Sequence, residues 1–215
     1  MMNKTERDLR QKLFENLGES KLINETFEFA LAYLEKGRPG FDVPHTMAVM
    51  YHADRLALEF SLDRVVLVLA AALHDIGYYG EFDTETRAGL EMVKDKKAAH
   101  MIAGGLLARS FLYGGKVGDE LTDVQKERII HLVEVHDKVR ELKEIDELAL
   151  MKADSLGAID VNWVQPTYIG SEAIRYISEH GGLRRSLFEE SLGSDDYDKL
   201  ADSFRRFIFE RDGVS

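Results

Sequence analysis

Apolar residues recur along this chain at intervals of three and four, the period of helices that bury one face. On that pattern Thr5–Leu17 forms a first helix ended by Gly18, and Lys21–Lys36 a second ended by Gly37-Arg38-Pro39-Gly40. Asp42 caps a third, with Pro44 in its first turn, which runs to about Phe60. Ser61 or Asp63 caps a fourth, which carries the wholly apolar run Val65 to Leu73 up to His74, before Gly77-Tyr78-Tyr79-Gly80 breaks it. Further helices follow from about Asp95 to Leu112, from Asp123 (capped by Thr122) to about His136, and from Asp146 to Asp160. Thr167–Glu179 and Asp195–Glu210 make two more around Gly181-Gly182, the second with Tyr197, Leu200, Ala201, Phe204 and Ile208 on one face. No alternating run bounded by turn residues argues for a strand. The expectation is an all-α chain, one domain over 1–215, with a core at about 40–160 and a helical C-terminal extension over 161–215.

Composition narrows the chemistry. At 215 residues and 45% hydrophobic the chain can bury a real core. It contains no cysteine, which excludes a disulfide framework, thiolate zinc fingers, iron–sulfur ligation and a cysteine nucleophile. Any transition metal must therefore use His, Asp and Glu. The net charge of −11 opposes non-specific binding to long nucleic acid, while a small phosphorylated ligand remains allowed at a bound metal. The start, Met1 to Arg7, lacks the apolar segment of a signal peptide, and the nine-residue run Val65–Leu73 falls short of the roughly 20 residues of a membrane span. A cytoplasmic protein without a membrane partner is expected, and a homodimer is allowed.

The informative feature is polar residues on otherwise apolar helix faces. His74-Asp75 ends a helix with nothing polar from Val65 to Leu73, and an ionised carboxylate there is costly unless paired or bound to a cation. His136 has Ile129, Leu132 and Val133 one and two turns before it, so it faces inward. His131 shares its face with Glu127, Arg128 and Glu134 and is expected at the surface. Asp154 lies among Leu150, Met151, Gly157 and Ala158 as a buried acid, and Ala103 and Gly104 leave room beside His100 for something bulkier than a side chain. His45 sits in the turn after Pro44, and His52 lies about 10 Å further along the same helix, too far to share an ion with it. His52 is expected as a core or supporting residue and His180 as a loop residue. A core explanation of His45, His74, Asp75, His100, His136 and Asp154 needs six separate hydrogen-bonding solutions, whereas one binuclear metal centre solves all six.

The order His45, then Leu73-His74-Asp75-Ile76-Gly77, His100, His136 and Ala153-Asp154 resembles the HD-domain metal-dependent phosphohydrolase superfamily over about residues 40–160. His100 and His136 correspond to the additional histidines of its binuclear members, and the short step from His136 to Asp154 is similar to the bacterial diadenosine tetraphosphate hydrolases among them. The resemblance implies an all-α HD-domain bundle with two divalent metal ions at its centre. It places His45, His74 and Asp154 on the first ion, His100 and His136 on the second, and Asp75 between them as the catalytic bridge. A mixed imidazole and carboxylate shell suits Fe, Mn, Ni or Zn better than Ca; the expected cofactor is a pair of divalent ions, Fe or Mn first, with Ni, Zn or Mg admitted. The implied reaction is hydrolysis of a nucleotide-like phosphate ester or anhydride by activated water.

One position departs from the family. Many of its phosphohydrolases carry a lysine three residues after the Asp, where this chain has Tyr78. Lys96 and Lys97, read as lying near a helix N-terminus on the face of His100, are the expected substitutes for binding substrate phosphate, with Arg38 third and Tyr78 lining the same cleft. The same six residues also resemble the HD-fold di-iron oxygenases, which leaves oxygenase chemistry on a small polar substrate as the alternative. A non-catalytic module that kept its metals ranks last.

Overall fold

The structure is a computed structural model that describes residues 4–18, 20–82 and 89–213, apart from the side chains of Lys116 and His180. Its helices are α1 (Lys4–Leu17), α2 (Lys21–Leu34), α3 (Asp42–Glu59), α4 (Arg64–Leu73), α5 (Leu90–Gly114), α6 (Asp123–Val135), α7 (Ile145–Ile159), α8 (Gly170–Arg175), α9 (Gly182–Leu192) and α10 (Asp195–Asp212). Single 3₁₀ segments lie at Ile76–Tyr78 and Lys116–Glu120, and a π-helical segment at Tyr176–Gly181 joins α8 to α9. The described residues contain no strand, so the all-α expectation holds.

Helix α4 is the axis of the fold. Asp63 caps it by accepting from the Val66 N–H at 3.1 Å, and every residue from Val66 to Leu73 is buried. A helix that is apolar all round must be covered on all sides, and α2, α3, α6 and α7 pack around it. Helix α6 starts at a capping box in which Thr122 and Gln125 satisfy each other's backbone. Helices α3 and α7 pack against each other at Gly157, where an added Cβ would lie 2.6 Å from a Val49 methyl. That close approach brings the His45 and Asp154 helices together.

Downstream of α7 the structure corrects the sequence reading. Thr167–Glu179 is not one helix: α8 is short and passes into the π-helical segment, which also contains the backbone of His180 where a loop was expected. An additional helix, α9, then packs on α7. Buried Lys152 of α7 fastens this region to the core, donating to the Leu192 carbonyl at 2.9 Å and pairing with Asp196 at 2.9 Å. The buried apolar cluster runs continuously from Leu13 to Ile208. Among the described residues, no helix is long and apolar enough to cross a membrane.

Candidate metal centre

Five helix ends and faces deliver the six residues. His45 comes from the first turn of α3, His74 caps α4, and Asp75 follows where the chain turns into the 3₁₀ segment. His100 lies within α5, His136 caps α6, and Asp154 lies within α7. The turn after Asp75 needs a glycine, because a Cβ on Gly77 would lie 1.9 Å from the His100 carbonyl oxygen. Gly104 faces the same turn, with its Cβ direction 3.6 Å from the Gly77 nitrogen. At Gly104 the space is therefore taken by the chain itself, where room for a bulkier group was expected.

The side chains form two groups that could each hold a metal ion, His45 with His74 and Asp154, and Asp75 with His100 and His136. His45 Nε2 lies 3.0 Å from Asp154 Oδ1 and 3.3 Å from His74 Nε2. In the other group His100 Nε2 lies 3.1 Å from His136 Nε2. Asp75 spans the two. Its Oδ2 is 3.3 Å from His74 Nε2 and 3.6 Å from His45 Nε2, while its Oδ1 is 3.5 Å from His100 Nε2 and 3.7 Å from His136 Nε2. All six residues are buried.

The donor set fits cations. His74 Nδ1 donates to the Ala71 carbonyl at 2.8 Å and His136 Nδ1 to that of Val133 at 2.8 Å, which leaves each Nε2 lone pair facing the centre of its group. Opposed imidazole lone pairs at such distances repel unless a proton or a cation lies between them. Charging every imidazole instead would bury several positive charges together, which is costly. The Nδ1 atoms of His45 and His100 are buried without a hydrogen-bond partner. Their rings are held by stacking, His45 on Phe41 and His100 on Tyr78 with centroids 4.0 Å apart.

Electrostatics within the centre are strongly perturbed. Burial opposes ionisation of Asp75, but His74 and Arg38 override it and hold the carboxyl well below its usual range. Asp154 is held low against the same burial by Arg184 and His45. Burial also opposes charge on His74, yet Asp75 and Asp154 raise it to about 9. His100 goes the other way, pushed down to about 4 by burial and by His136.

Around the ligands lies a second set of charges. Arg38 pairs with Asp42 and Asp75, its guanidinium 4.6 Å from the ring centres of both Phe41 and Tyr78. Lys97 Nζ pairs with Asp137 at 2.8 Å, and Arg184 of α9 pairs with both Asp137 and Asp154. Arg38, Tyr78, Lys97, Asp137 and Arg184 all line one cavity with His45, Asp75 and Asp154. About 50 Å³ of it is open to water-sized groups, room for a few waters at roughly 10–15 Å³ each. Lys96 points elsewhere, pairing with Glu81 at 2.6 Å, and is not among the lining residues. Helix α5 begins at Leu90 and not near Asp95, and the Leu90 N–H is accepted by Glu172, so neither lysine stands at a helix N-terminus.

The remaining histidines separate from the centre. His131 is 44% exposed and bonds to Glu147 at 2.7 Å, and His52 is buried against Asp160 at 3.1 Å. Comparison with protein families matches residues 43–160 to the HD domain, a span that contains all six ligand candidates. The chain belongs to the HD domain family. No curated protein and no solved structure gives a significant match. HD domains are commonly metal-dependent phosphohydrolases, and the two His and Asp groups agree with a metal-binding member. Sequence reasoning missed Asp137 and Arg184, and it read Asp42 as a helix cap, whereas Asp42 lies inside the first turn of α3 and its carboxylate pairs with Arg38. Asp137 carried a signal, since it repeats after inward-facing His136 the pairing seen at His74-Asp75; Arg184 carried none that is local.

Proposed function

We propose that this HD domain protein is a metal-dependent phosphohydrolase acting on a nucleotide-like phosphate ester or anhydride. His45, His74 and Asp154 would hold one divalent cation, His100 and His136 a second, and Asp75 would bridge them. The observation that carries the reading is Asp75, buried with one carboxylate oxygen toward each histidine group. A bound pair of Fe or Mn ions supplies Lewis acidity toward a phosphoryl oxygen and water of lowered pKa as nucleophile. The chain's residues do the rest. His74 and His136, fixed by their carbonyl acceptors, keep the donor set in place without reorganisation. Arg38 and Lys97, on the cavity wall, offer positive charge to a phosphoryl group. The narrow cavity admits the phosphoryl head, while the remainder of a nucleotide-sized ligand lies toward its mouth, since whole-ligand pockets take about 300–1,000 Å³.

The test is a phosphatase screen over nucleotides with protein stripped of metal and reloaded with Mn, or with Fe in the presence and absence of air. Phosphate release that needs the metal and not oxygen supports the reading. Turnover that needs iron and oxygen and releases no phosphate would replace it with the oxygenase.

A further inference from the structure

Four cations line the cavity; Lys94 of α5 pairs with Glu91, and the other three, Arg38 before α3, Lys97 in α5 and Arg184 in α9, pair with carboxylates at the histidine groups. Their partners are the four buried carboxylates Asp42, Asp75, Asp137 and Asp154, which leaves one excess negative charge before the histidines are considered. Two divalent cations at the histidine groups turn that into three excess positive charges at the cavity floor. A buried site with such an excess is stable only when an anion completes it. Arg184 is placed to meet one. It is 7% exposed, it lies on the cavity wall, and it grips Asp154 through Oδ2 while Oδ1 faces His45 at 3.0 Å. It therefore holds the outer oxygen of that carboxylate and does not compete for the inner one. Its other nitrogen shares Asp137 Oδ1 with Lys97, so the two cations lie side by side.

We propose that Arg184, with Lys97 beside it, is a specificity-determining residue that selects a terminal, dianionic phosphoryl group over an internal diester. This rests on the metal-dependent phosphohydrolase reading. A terminal phosphate brings about two negative charges near neutral pH and three equivalent oxygens to a planar guanidinium fork, whereas a diester brings one charge and two flanking substituents. The diester also needs room for two substituents in a cavity with about 50 Å³ open to water-sized groups. The C-terminal extension thus contributes a substrate contact, and it does so from outside the stretch matched to the HD domain, residues 43–160.

The experiment is calorimetric titration of Mn-loaded protein at pH 8 with inorganic phosphate and with dimethyl phosphate, alongside metal analysis. Phosphate should bind at least about tenfold more tightly than dimethyl phosphate. Arg184→Gln should lower phosphate affinity by about tenfold or more while Mn content stays at the wild-type level. Arg184→Lys, which keeps the charge and so protects the fold, should lower it by less than the Gln variant but by more than about twofold, since the planar fork is lost. Phosphate affinity within about twofold of wild type in either Arg184 variant, with Mn retained, would overturn the proposal. So would equal binding of the two probes by wild type. The parent reading is judged separately: wild type that takes up Mn and releases phosphate from a nucleotide keeps that reading alive whatever the Arg184 variants do.

Discussion

The inner ring of histidines and aspartates and the outer ring of cations are built by opposite means. Each inner residue sits on a helix of the core or at its end, close in sequence to an apolar run that fixes its place. The outer ring is assembled by contacts distant in sequence: Arg38 reaches Asp75, Lys97 reaches Asp137, and Arg184 reaches back from α9 to Asp154. The inner set fixes which ions fit, and the outer set fixes the charge and shape offered to a ligand. A site of this kind separates metal chemistry, which tolerates little change in ligand type, from recognition, which differs with whatever packs over it.

Removing the bridge breaks the inner ring first. Asp75→Ala should lose both metal ions and lower activity by well over the 10–100-fold typical of a supporting residue, checked by metal analysis and phosphate release. Retention of both ions would show that Asp75 is not the bridge. The outer ring should respond differently. Lys97→Ala should raise KM by about tenfold with metal content unchanged, because a charged contact to the ligand is lost while Asp137 keeps its pairing with Arg184. Lys96→Ala should stay within about twofold, since Lys96 pairs with Glu81 away from the cavity. Equal effects of the two lysines would dissolve the distinction that the cavity draws between them.

Smaller effects test the rings through stability. Saturating Mn, at about 100 times its Kd, should stabilise the metal-free protein by about 2.7 kcal/mol for each ion bound, roughly 5–10 °C in Tm per ion for a chain of this size. No shift in a calorimetric scan would deny that the folded state holds metal. His131→Ala should leave metal content unchanged and cost about 1 kcal/mol or less, because His131 is part-exposed and its partner Glu147 also accepts from backbone N–H groups.

Legibility in the sequence follows the same division. The helices of the core could be read because α4 is apolar throughout and because Asp63 and Thr122 are local caps. The six inner residues could be read because each interrupts an apolar face. The start of α5 could not, since Leu90 is capped by Glu172, a residue from α8 that no local pattern around Asp95 reveals. The local pattern therefore puts both lysines at a helix terminus, and the structure separates them: Lys97 turns to the cavity and Lys96 to Glu81. Arg184 was illegible for the same cause. Its neighbours Leu183 and Arg185 give no hint that its side chain alone is buried against two carboxylates of the core.

The account depends most on two cations sharing Asp75, and the metal-to-protein ratio tests that directly. Wild-type protein reloaded with Mn and freed of excess metal should hold two ions per chain. One ion per chain, or none, would contradict a binuclear centre.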